Sequence, residues 1–288
     1  MTGEASETDQ QPAPRSPDPR GGDMVTRHRL STRIWHWINA FTLLVMLMSG
    51  MMIFNAHPRL YWGQYGANAD RPWLQIGATN SGRGILNIGG AKFVTTGVLG
   101  AWKDSEGVTR RKAFPGWATI PSSYSLADAR IWHFFFAWVL VLGGIAYWLI
   151  SVLNRHVQRD LLPTRDEIKP HHIWRDLADH ARLRFPRGAA AARYNVLQKM
   201  AYLSVLFGLL PLIVLTGLTM SPGLNAAWPW LLDLFGGRQS ARSIHFLCAF
   251  GLVLFIAVHL LMVLLAGPFN EVRSMITGRY RLPKERDT

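Results

Sequence analysis

Four histidines lie inside long apolar stretches of the sequence, where a titratable side chain is costly. They are His36, His133, His245 and His259. An ionisable residue in a hydrocarbon environment is by default a candidate functional residue. Imidazole binds transition metals well and also relays protons, so these residues are candidate metal ligands or proton-transfer groups. A single such histidine is equally consistent with a structural hydrogen bond, but four together need a joint explanation.

The spacing of the histidines sorts them into two pairs at different depths. His259 follows His245 by 259 − 245 = 14 residues, which is roughly 21 Å along a helix and returns to within about 40° of the same face. His36 and His133 each lie near the start of their own apolar stretch. Successive membrane helices run in opposite directions, so the start of the first helix is level with the end of the second and fourth. His36 is therefore level with His259, and His133 with His245. Two stacked bis-histidine haems require this arrangement, so we predict one haem iron between the members of each pair.

The apolar stretches themselves predict an all-α membrane protein, a bundle of four transmembrane helices. A run of about 20 apolar residues is long enough to cross a hydrocarbon core about 30 Å thick. We place the helices at residues 34–54, 131–153, 198–220 and 243–267. Pro211 is expected to kink the third helix, and Trp228 and Trp230 suit a membrane interface.

The other segments are predicted to be polar connections and tails. We divide the chain into a disordered tail at 1–26, one membrane domain at 27–280 and a C-terminal tail at 281–288. Two connections of the domain are long, an outer loop at 55–128 and a basic loop at 154–194. Glycines interrupt a weakly apolar patch at 85–99, which is predicted to be a surface or interfacial segment. The sequence shows no internal repeat.

Positive charge is concentrated at one end of the predicted helices. The chain carries a formal charge of +13, and because basic residues flank apolar stretches, lipid headgroups are a better partner than nucleic acid. One end carries Arg27, Arg29, Arg33, Arg155, Arg159, Arg165, Arg182, Arg184, Arg187, Arg193, Arg273, Arg279 and Arg281. The opposite end carries chiefly Arg59, Arg238 and Arg242. The positive-inside rule therefore predicts that both termini are cytoplasmic.

Three glycines are candidate positions for close packing of a flat cofactor. Gly50 follows His36 by 14 residues, Gly144 follows His133 by 11, and Gly251 lies between the two histidines of the fourth helix. A glycine lets a large planar group approach the backbone. Small residues are also common where membrane helices simply pack together.

The remaining histidines and the cysteine are weaker candidates. Cys248 is the one cysteine, which excludes an intrachain disulfide, covalent haem attachment through two cysteines and a cysteine-bound iron–sulfur cluster. We expect it to be a small core residue. His156 competes for the inner, cytoplasmic pair of His36 and His259 but is expected at the headgroups, and the role of His57 stays open. Three others are expected to be solvated in a polar loop, namely His171, His172 and His180.

These residues resemble those of a known family of bacterial di-haem cytochromes b. The resemblance rests on Arg33-Ile34-Trp35-His36-Trp37-Ile38-Asn39-Ala40, on His133, and on the pair His245 and His259. The family is b561-like and includes the cytochrome b of nickel–iron hydrogenases, the gamma subunit of formate dehydrogenase and the cytochrome b of thiosulfate reductase. The resemblance covers about residues 27–280. It implies two non-covalent haem b groups, an exchangeable quinone, and a periplasmic partner that is a molybdenum enzyme or an iron–sulfur protein.

A second motif resembles the quinone site of the formate dehydrogenase branch. It is Tyr194-Asn195-Val196-Leu197-Gln198-Lys199, with leucine at a position where that branch has glycine. The resemblance implies that Asn195, with Gln198, contacts a quinone beside the inner haem. Asn195 is also well suited to cap the third helix, and the two roles are compatible.

The resemblance implies an electron-transfer subunit of the bacterial inner membrane rather than a catalytic subunit. Electrons are expected to pass between the quinone pool and the periplasmic partner. One alternative is a stand-alone cytochrome that oxidises quinol and reduces a small acceptor. Another is a non-redox transporter or scaffold, which would leave the two histidine pairs as coincidence.

Overall fold

Four long helices dominate the protein. The computed structural model describes residues 22–67, 69–155, 157, 161–182 and 194–282. The helices long and apolar enough to cross a membrane are span 1 at Leu30–Phe54, span 2 at Leu126–Leu153, span 3 at Val196–Met220 and span 4 at Arg238–Ala266. Only 11% of the most apolar 18-residue stretch of span 4 is buried within the protein. Exposed apolar surface of this extent requires a lipid environment.

The four predicted spans are confirmed, although every helix begins earlier than predicted. Span 1 starts four residues before the predicted 34, and spans 2 and 4 each start five residues early. An apolar run marks the part of a helix that faces lipid, whereas the helix itself begins at a cap. In span 2 the cap is Ser125, whose hydroxyl accepts a hydrogen bond from the backbone N–H of Asp128 at 3.3 Å.

Span 3 is interrupted where the sequence predicts a kink. It consists of an α-helix at Val196–Leu203, a π-helical segment at Ser204–Leu209 and an α-helix at Leu210–Met220. Pro211 lies just after the π-helical segment. A proline has no N–H and its ring conflicts with the carbonyl four residues earlier, so a wider turn before it relieves the conflict.

The spans pack as two pairs of helices. Span 1 packs along span 2, and the second half of span 3 packs along span 4. Between the two pairs, contacts among the described residues are sparse by comparison. The space between the pairs is therefore bridged by side chains rather than filled by close backbone packing, which is the arrangement a flat cofactor needs.

The expectation of an all-α protein is wrong for the loop at 55–128. This loop contains β2 (Arg59–Leu60), β3 (Leu74–Ala78), β4 (Gly84–Ile88), β5 (Ala91–Val94), β6 (Trp102–Lys103) and β7 (Thr109–Arg110), which follow β1 at Met24–Thr26. Strands β2 to β5 form an antiparallel sheet in that order, and β6 pairs with β7. Leu60, Leu74 and Ile76 of the sheet are buried against Phe54 at the end of span 1. The loop is thus a small folded unit with its own core.

The patch at 85–99, predicted to be a surface or interfacial segment, contains most of the hairpin of β4 and β5. Its turn is Gly89-Gly90, with φ values of 60° and 100°, and Ile88 pairs with Ala91. A two-residue hairpin turn with positive φ at both positions strongly favours glycine. The glycines that interrupt the apolar pattern therefore form the turn between two strands.

The folded loop is fixed to the start of span 4. The carbonyl of Gly63 accepts hydrogen bonds from the N–H groups of Gln239 and Ser240, both at 3.1 Å. The side-chain oxygen of Gln64 accepts from the N–H of Arg238 at 3.2 Å. These N–H groups have no partner within their own helix. The loop therefore caps span 4.

Side chains from the first turns of span 4 complete this junction. Arg242 donates to the carbonyl of His57. The hydroxyl of Ser243 donates to the carbonyl of Tyr61 at 2.6 Å and accepts from the indole of Trp73 at 2.9 Å. The loop therefore covers the end of span 4 that carries His245. We call this end of the bundle the loop side.

The two described ends of the chain meet at the opposite end, which we call the termini side. Strand β1 pairs antiparallel with β8 at Arg279–Arg281, and the helix Pro268–Thr277 precedes β8. Arg27 forms an ion pair with Glu271 at 2.9 Å. Residues 24–26, expected to be part of a disordered tail, therefore belong to the folded protein. The two described ends lie on the same side of the bundle, as expected for a chain with an even number of spans.

Three further expectations are corrected or lie outside the described residues. The helix Pro170–Ala181 occupies part of the predicted basic loop and carries His171 and His172. Short helices at Pro222–Ala227 and Pro229–Leu234 replace the predicted loop around Trp228 and Trp230. Five residues used in the sequence argument are not among those described, namely His156, Arg159, Arg184, Arg187 and Arg193.

Candidate functional site

The structure brings the four intramembrane histidines together in the two predicted pairs. The ring centres of His36 and His259 lie 6.2 Å apart, with 58° between the ring planes. Those of His133 and His245 lie 6.3 Å apart, with 59° between the planes. The first pair is on the termini side and the second on the loop side. Each pair joins span 4 to a helix of the other helix pair, across the space between them.

These separations fit one metal ion held between two imidazoles. A metal–imidazole bond of about 2.0 Å, plus about 1.1 Å from ring nitrogen to ring centre, gives about 6.2 Å across the metal. The described residues contain no group of three or more histidine, cysteine, aspartate or glutamate side chains that could close around a metal. A haem iron takes one imidazole on each side of its macrocycle, and the two imidazoles of each pair would suit that role. The residues therefore fit a bis-histidine haem in each pair.

Span 1 supplies a hydroxyl to the first histidine of the loop-side pair. The Oγ of Ser49 lies 3.0 Å from Nδ1 of His133 and donates to the carbonyl of Val45 at 2.7 Å. Since the hydroxyl proton is used by the carbonyl, the ring must donate through Nδ1–H. This leaves Nε2 as the basic nitrogen that can bind a metal.

Span 3 supplies the same kind of support to His245. Its Nδ1 lies 2.9 Å from the carbonyl of Ile213 and 3.2 Å from Oγ1 of Thr216. The hydroxyl of Thr216 donates to the carbonyl of Leu212 at 2.7 Å. The Nδ1–H of His245 is thus directed away from His133, and its Nε2 is the nitrogen left for a metal.

Glycines lie directly against both loop-side histidines. A Cβ atom on Gly50 would lie 3.4 Å from the Cε1 atom of His133, and one on Gly217 would lie 3.4 Å from Cε1 of His245. Gly50 therefore lies at the depth of the loop-side pair, as its spacing from His36 predicts. The sequence argument missed Gly217, Ser49 and Thr216. The available signal was a hydroxyl residue followed by glycine, which occurs in both span 1 and span 3.

Two other predicted glycines contact neighbouring helices. A Cβ atom on Gly144 would lie 3.9 Å from the indole of Trp35, and the preceding Gly143 approaches the same ring more closely. Gly251 faces the side chain of Leu209 at 3.4 Å. These contacts are consistent with the alternative that the sequence left open, in which small residues let membrane helices pack closely.

The termini-side pair has a different environment. The Nδ1 atom of His36 is buried, and no hydrogen-bond partner for it is present among the described residues. The ring of Phe255 stacks on His259 with centres 6.0 Å apart, and the indole of Trp37 meets His36 edge-on at 5.1 Å. Aromatic side chains thus enclose this pair, while hydroxyl groups support the other.

Asn195 and Gln198 form a capping box at the start of span 3. The side chain of Asn195 accepts from the N–H of Gln198 at 2.9 Å, and the Gln198 side chain accepts from the N–H of Asn195 at 3.2 Å. The capping role that the sequence allowed is therefore present. From the preceding Tyr194, ring contacts lead through Tyr202 and Phe255 towards His259, with centre distances of 5.4 Å and 6.4 Å for the first two steps.

The other residues considered from the sequence lie outside the two pairs. His57 stacks on Tyr61 with ring centres 5.9 Å apart. The pKa of His57 is lowered, mainly by partial burial and further by the positive charges of Arg242 and Arg59. This lowered pKa favours the neutral form of the His57 ring. Cys248 is buried, as expected for a small core residue.

Comparison with known proteins agrees with this geometry. The family model described as prokaryotic cytochrome b561 matches residues 27–278. The protein-methionine-sulfoxide reductase subunit YedZ1 of Azospira oryzae is 31% identical over 153 residues, which cover 53% of this chain and 72% of YedZ1. The cytochrome YdhU of Escherichia coli is 36% identical over 93 residues, covering 31% of this chain and 33% of YdhU. No solved structure matches the chain. The chain therefore belongs to the prokaryotic cytochrome b561 family and is a multi-pass bacterial membrane protein of the haem b, electron-transferring type.

Proposed function

We propose that this protein is the di-haem cytochrome b subunit of a respiratory oxidoreductase in the bacterial inner membrane. It transfers electrons between the quinone pool and a catalytic partner on the periplasmic side. The observation that carries the proposal is the presence of two imidazole pairs, with ring centres 6.2 Å and 6.3 Å apart, at opposite ends of the helix bundle. One such pair would serve a cofactor near one surface, whereas two serve transfer across the membrane.

His36 and His259 would hold one haem b, and His133 and His245 the other. Haem b, when bound, supplies a carrier that accepts and donates one electron at a time. The chain contributes the axial nitrogens, the tautomers fixed by Ser49 Oγ and the Ile213 carbonyl, and an apolar surrounding that limits access of water. Both termini are proposed to be cytoplasmic, which places the first pair on the cytoplasmic side.

The quinone is proposed to bind on the termini side, beside Asn195. The cap uses the side-chain oxygen of Asn195, and the amide NH₂ of the same side chain is the kind of donor that a quinone carbonyl accepts. Tyr194, Tyr202 and Phe255 provide a continuous aromatic connection from this position to His259. A planar quinone ring packs favourably against such side chains.

The partner is proposed to bind on the loop side, over the pair His133 and His245. The folded loop is fixed to span 4 through Gly63 and Ser243, so it offers a firm surface above this pair. The relative YedZ1 is named as a subunit of a methionine sulfoxide reductase, which supports assembly with a separate catalytic chain. We propose a molybdenum enzyme or an iron–sulfur protein in that role.

The test is quinol-dependent reduction of the purified protein in lipid vesicles. We expect two haem b groups per chain, both reduced by a short-chain ubiquinol or menaquinol analogue. A soluble catalytic chain should co-purify from the native membrane and reoxidise or reduce the cytochrome. A preparation without haem, or one that quinol analogues leave oxidised while dithionite reduces it, would contradict the proposal.

Substitution of Asn195 separates quinone binding from helix capping. Serine caps helices about as well as asparagine but has no amide group. We therefore expect Asn195→Ser to keep the thermal stability of the protein and to lower kcat/KM for quinol at least about tenfold, about the effect of one lost hydrogen bond to substrate. Asn195→Ala should in addition lose about 1 kcal/mol of stability. Normal quinol oxidation by Asn195→Ser would show that Asn195 only caps the helix.

A further inference from the structure

The two helix pairs support the loop-side histidines in the same way, although the sequence shows no repeat. In span 1 the hydroxyl of Ser49 reaches Nδ1 of His133 from the neighbouring span 2. In span 3 the hydroxyl of Thr216 reaches Nδ1 of His245 from the neighbouring span 4. In both cases the next residue is a glycine that lies against the same imidazole ring, Gly50 or Gly217.

The correspondence extends to the backbone around each hydroxyl. Ser49 donates to the carbonyl four residues earlier at 2.7 Å and lies 3.2 Å from the carbonyl of Met46. Thr216 does the same, at 2.7 Å and with 3.1 Å to the carbonyl of Ile213. The carbonyl of Ile213 in addition lies 2.9 Å from Nδ1 of His245. The two units match in the hydroxyl, in its two backbone carbonyls and in the glycine that follows.

We propose that Ser49 and Thr216 are paired positioning residues that set the electron affinity of the loop-side haem. The inference rests on the proposed ligation by His133 and His245. Each hydroxyl gives its proton to a backbone carbonyl, so its lone pair faces the Nδ1–H of the histidine as an acceptor. At His245 the Thr216 hydroxyl shares this N–H with the nearer carbonyl of Ile213. An acceptor at Nδ1 makes the opposite nitrogen a stronger donor to iron. Stronger donation favours the oxidised iron and lowers the reduction potential of the haem.

This role differs from that of an ordinary buried hydroxyl. Ser49 and Thr216 are both completely buried, at 0% exposure, and a hydroxyl that bonds only to its own helix would need no second partner. Thr219 is such a residue, because its Oγ1 donates to the carbonyl of Thr216 at 2.6 Å and has no hydrogen bond to a histidine within the described part of the chain. It lies in the same helix at 1% exposure, so it is the matched control.

The test is a potentiometric titration of the purified protein in which the two haems are resolved. We expect Thr216→Val, which keeps the size of the side chain but loses the hydroxyl, to raise the potential of the loop-side haem. The expected change is about tenfold in the ratio of reduced to oxidised haem at fixed potential, which is about 59 mV for one electron. Ser49→Ala should act in the same direction and at least as strongly, because in Thr216→Val the Nδ1–H of His245 still has the Ile213 carbonyl as an acceptor. The termini-side haem should keep its potential in both variants.

Two controls make the outcome decisive. Thr216→Ser, which keeps the hydroxyl, should restore the original potential, and Thr219→Val should leave both potentials unchanged. If Thr216→Val and Thr219→Val shift the potential alike, or if both haems shift together, the hydroxyls serve only packing and the inference is overturned. Retention of both haems in these variants keeps that result separate from the proposed function, which fails only if the histidines do not hold haem.

Discussion

Replacing His133 with alanine is expected to halve the haem content of the protein, from two haem b groups per chain to one. His133 supplies one of the two imidazoles of the loop-side pair, whose ring centres are 6.3 Å apart. Without it the site retains one axial ligand, and non-covalent haem then has no second bond to hold it. The haem content of purified protein, measured against chain concentration, tests this directly.

The pairing itself is tested by combining substitutions. His133→Ala and His245→Ala should each remove the same haem, so the double variant should still contain one. His133→Ala combined with His36→Ala should contain none, because these residues belong to different pairs. Non-additivity within a pair and additivity between pairs is the signature of two shared sites. Equal losses in all double variants would contradict the assignment.

Loss of haem through general unfolding is excluded by a control and by a second measurement. His171 lies at the surface, on the helix Pro170–Ala181 outside the four spans, and His171→Ala should keep both haems. The haem remaining in His133→Ala should retain the potential of the termini-side haem and should still be reduced by quinol. A single-haem protein that quinol cannot reduce would show that His133 belongs to the quinone-side carrier, contrary to the proposal.

The histidine pairs could be predicted because they depend only on local helix geometry. The rise and rotation per residue fix the depth and direction of His245 relative to His259 within one helix. The alternating direction of successive spans then fixes which residues of spans 1 and 2 share those depths. The prediction needed only the assumption that each histidine faces the interior of the bundle. It did not need the rotation of one helix relative to another.

The residues that support the ligands could not be predicted in that way. Whether Ser49 meets His133, or Thr216 meets His245, depends on the rotation and spacing of two packed helices, which a single sequence does not specify. The role of the hydroxyl–glycine pair is visible only in the structure, where Ser49-Gly50 and Thr216-Gly217 each lie against an imidazole ring. By the same argument Gly144 has the spacing of a haem-facing residue, yet it faces Trp35 of span 1.

The folded loop was missed because its strands are short. Strands of two to five residues show too little alternation to distinguish them from irregular loop. The separate sheet of β1 and β8 was missed because almost the whole chain lies between its two strands. The usable signal was Gly89-Gly90 between two apolar runs, which is a typical hairpin turn.

Replacing Gly217 with valine is expected to remove the loop-side haem as completely as loss of a ligand. A Cβ atom at this position would already lie 3.4 Å from Cε1 of His245, which is the limit of ordinary contact. Gly217→Ala should therefore keep both haems. The two additional methyl groups of Gly217→Val extend from a Cβ atom already in contact with the ring, so we expect them to displace it. Displacement by about 1 Å is enough to break axial ligation, because the metal–nitrogen bond is only about 2.0 Å long.

Gly208 provides the matched control for this substitution, since it lies in the same span. Among the described residues, a Cβ atom there would have no neighbour within 4 Å, so Gly208→Val should retain two haems per chain. The comparison separates steric displacement of His245 from the general effect of a β-branched residue in a membrane helix. If Gly217→Val also binds two haems with unchanged spectra, the ring of His245 is not held where the ligand role requires it. A loss confined to Gly217→Val instead makes the glycine as necessary to this site as the imidazole it adjoins.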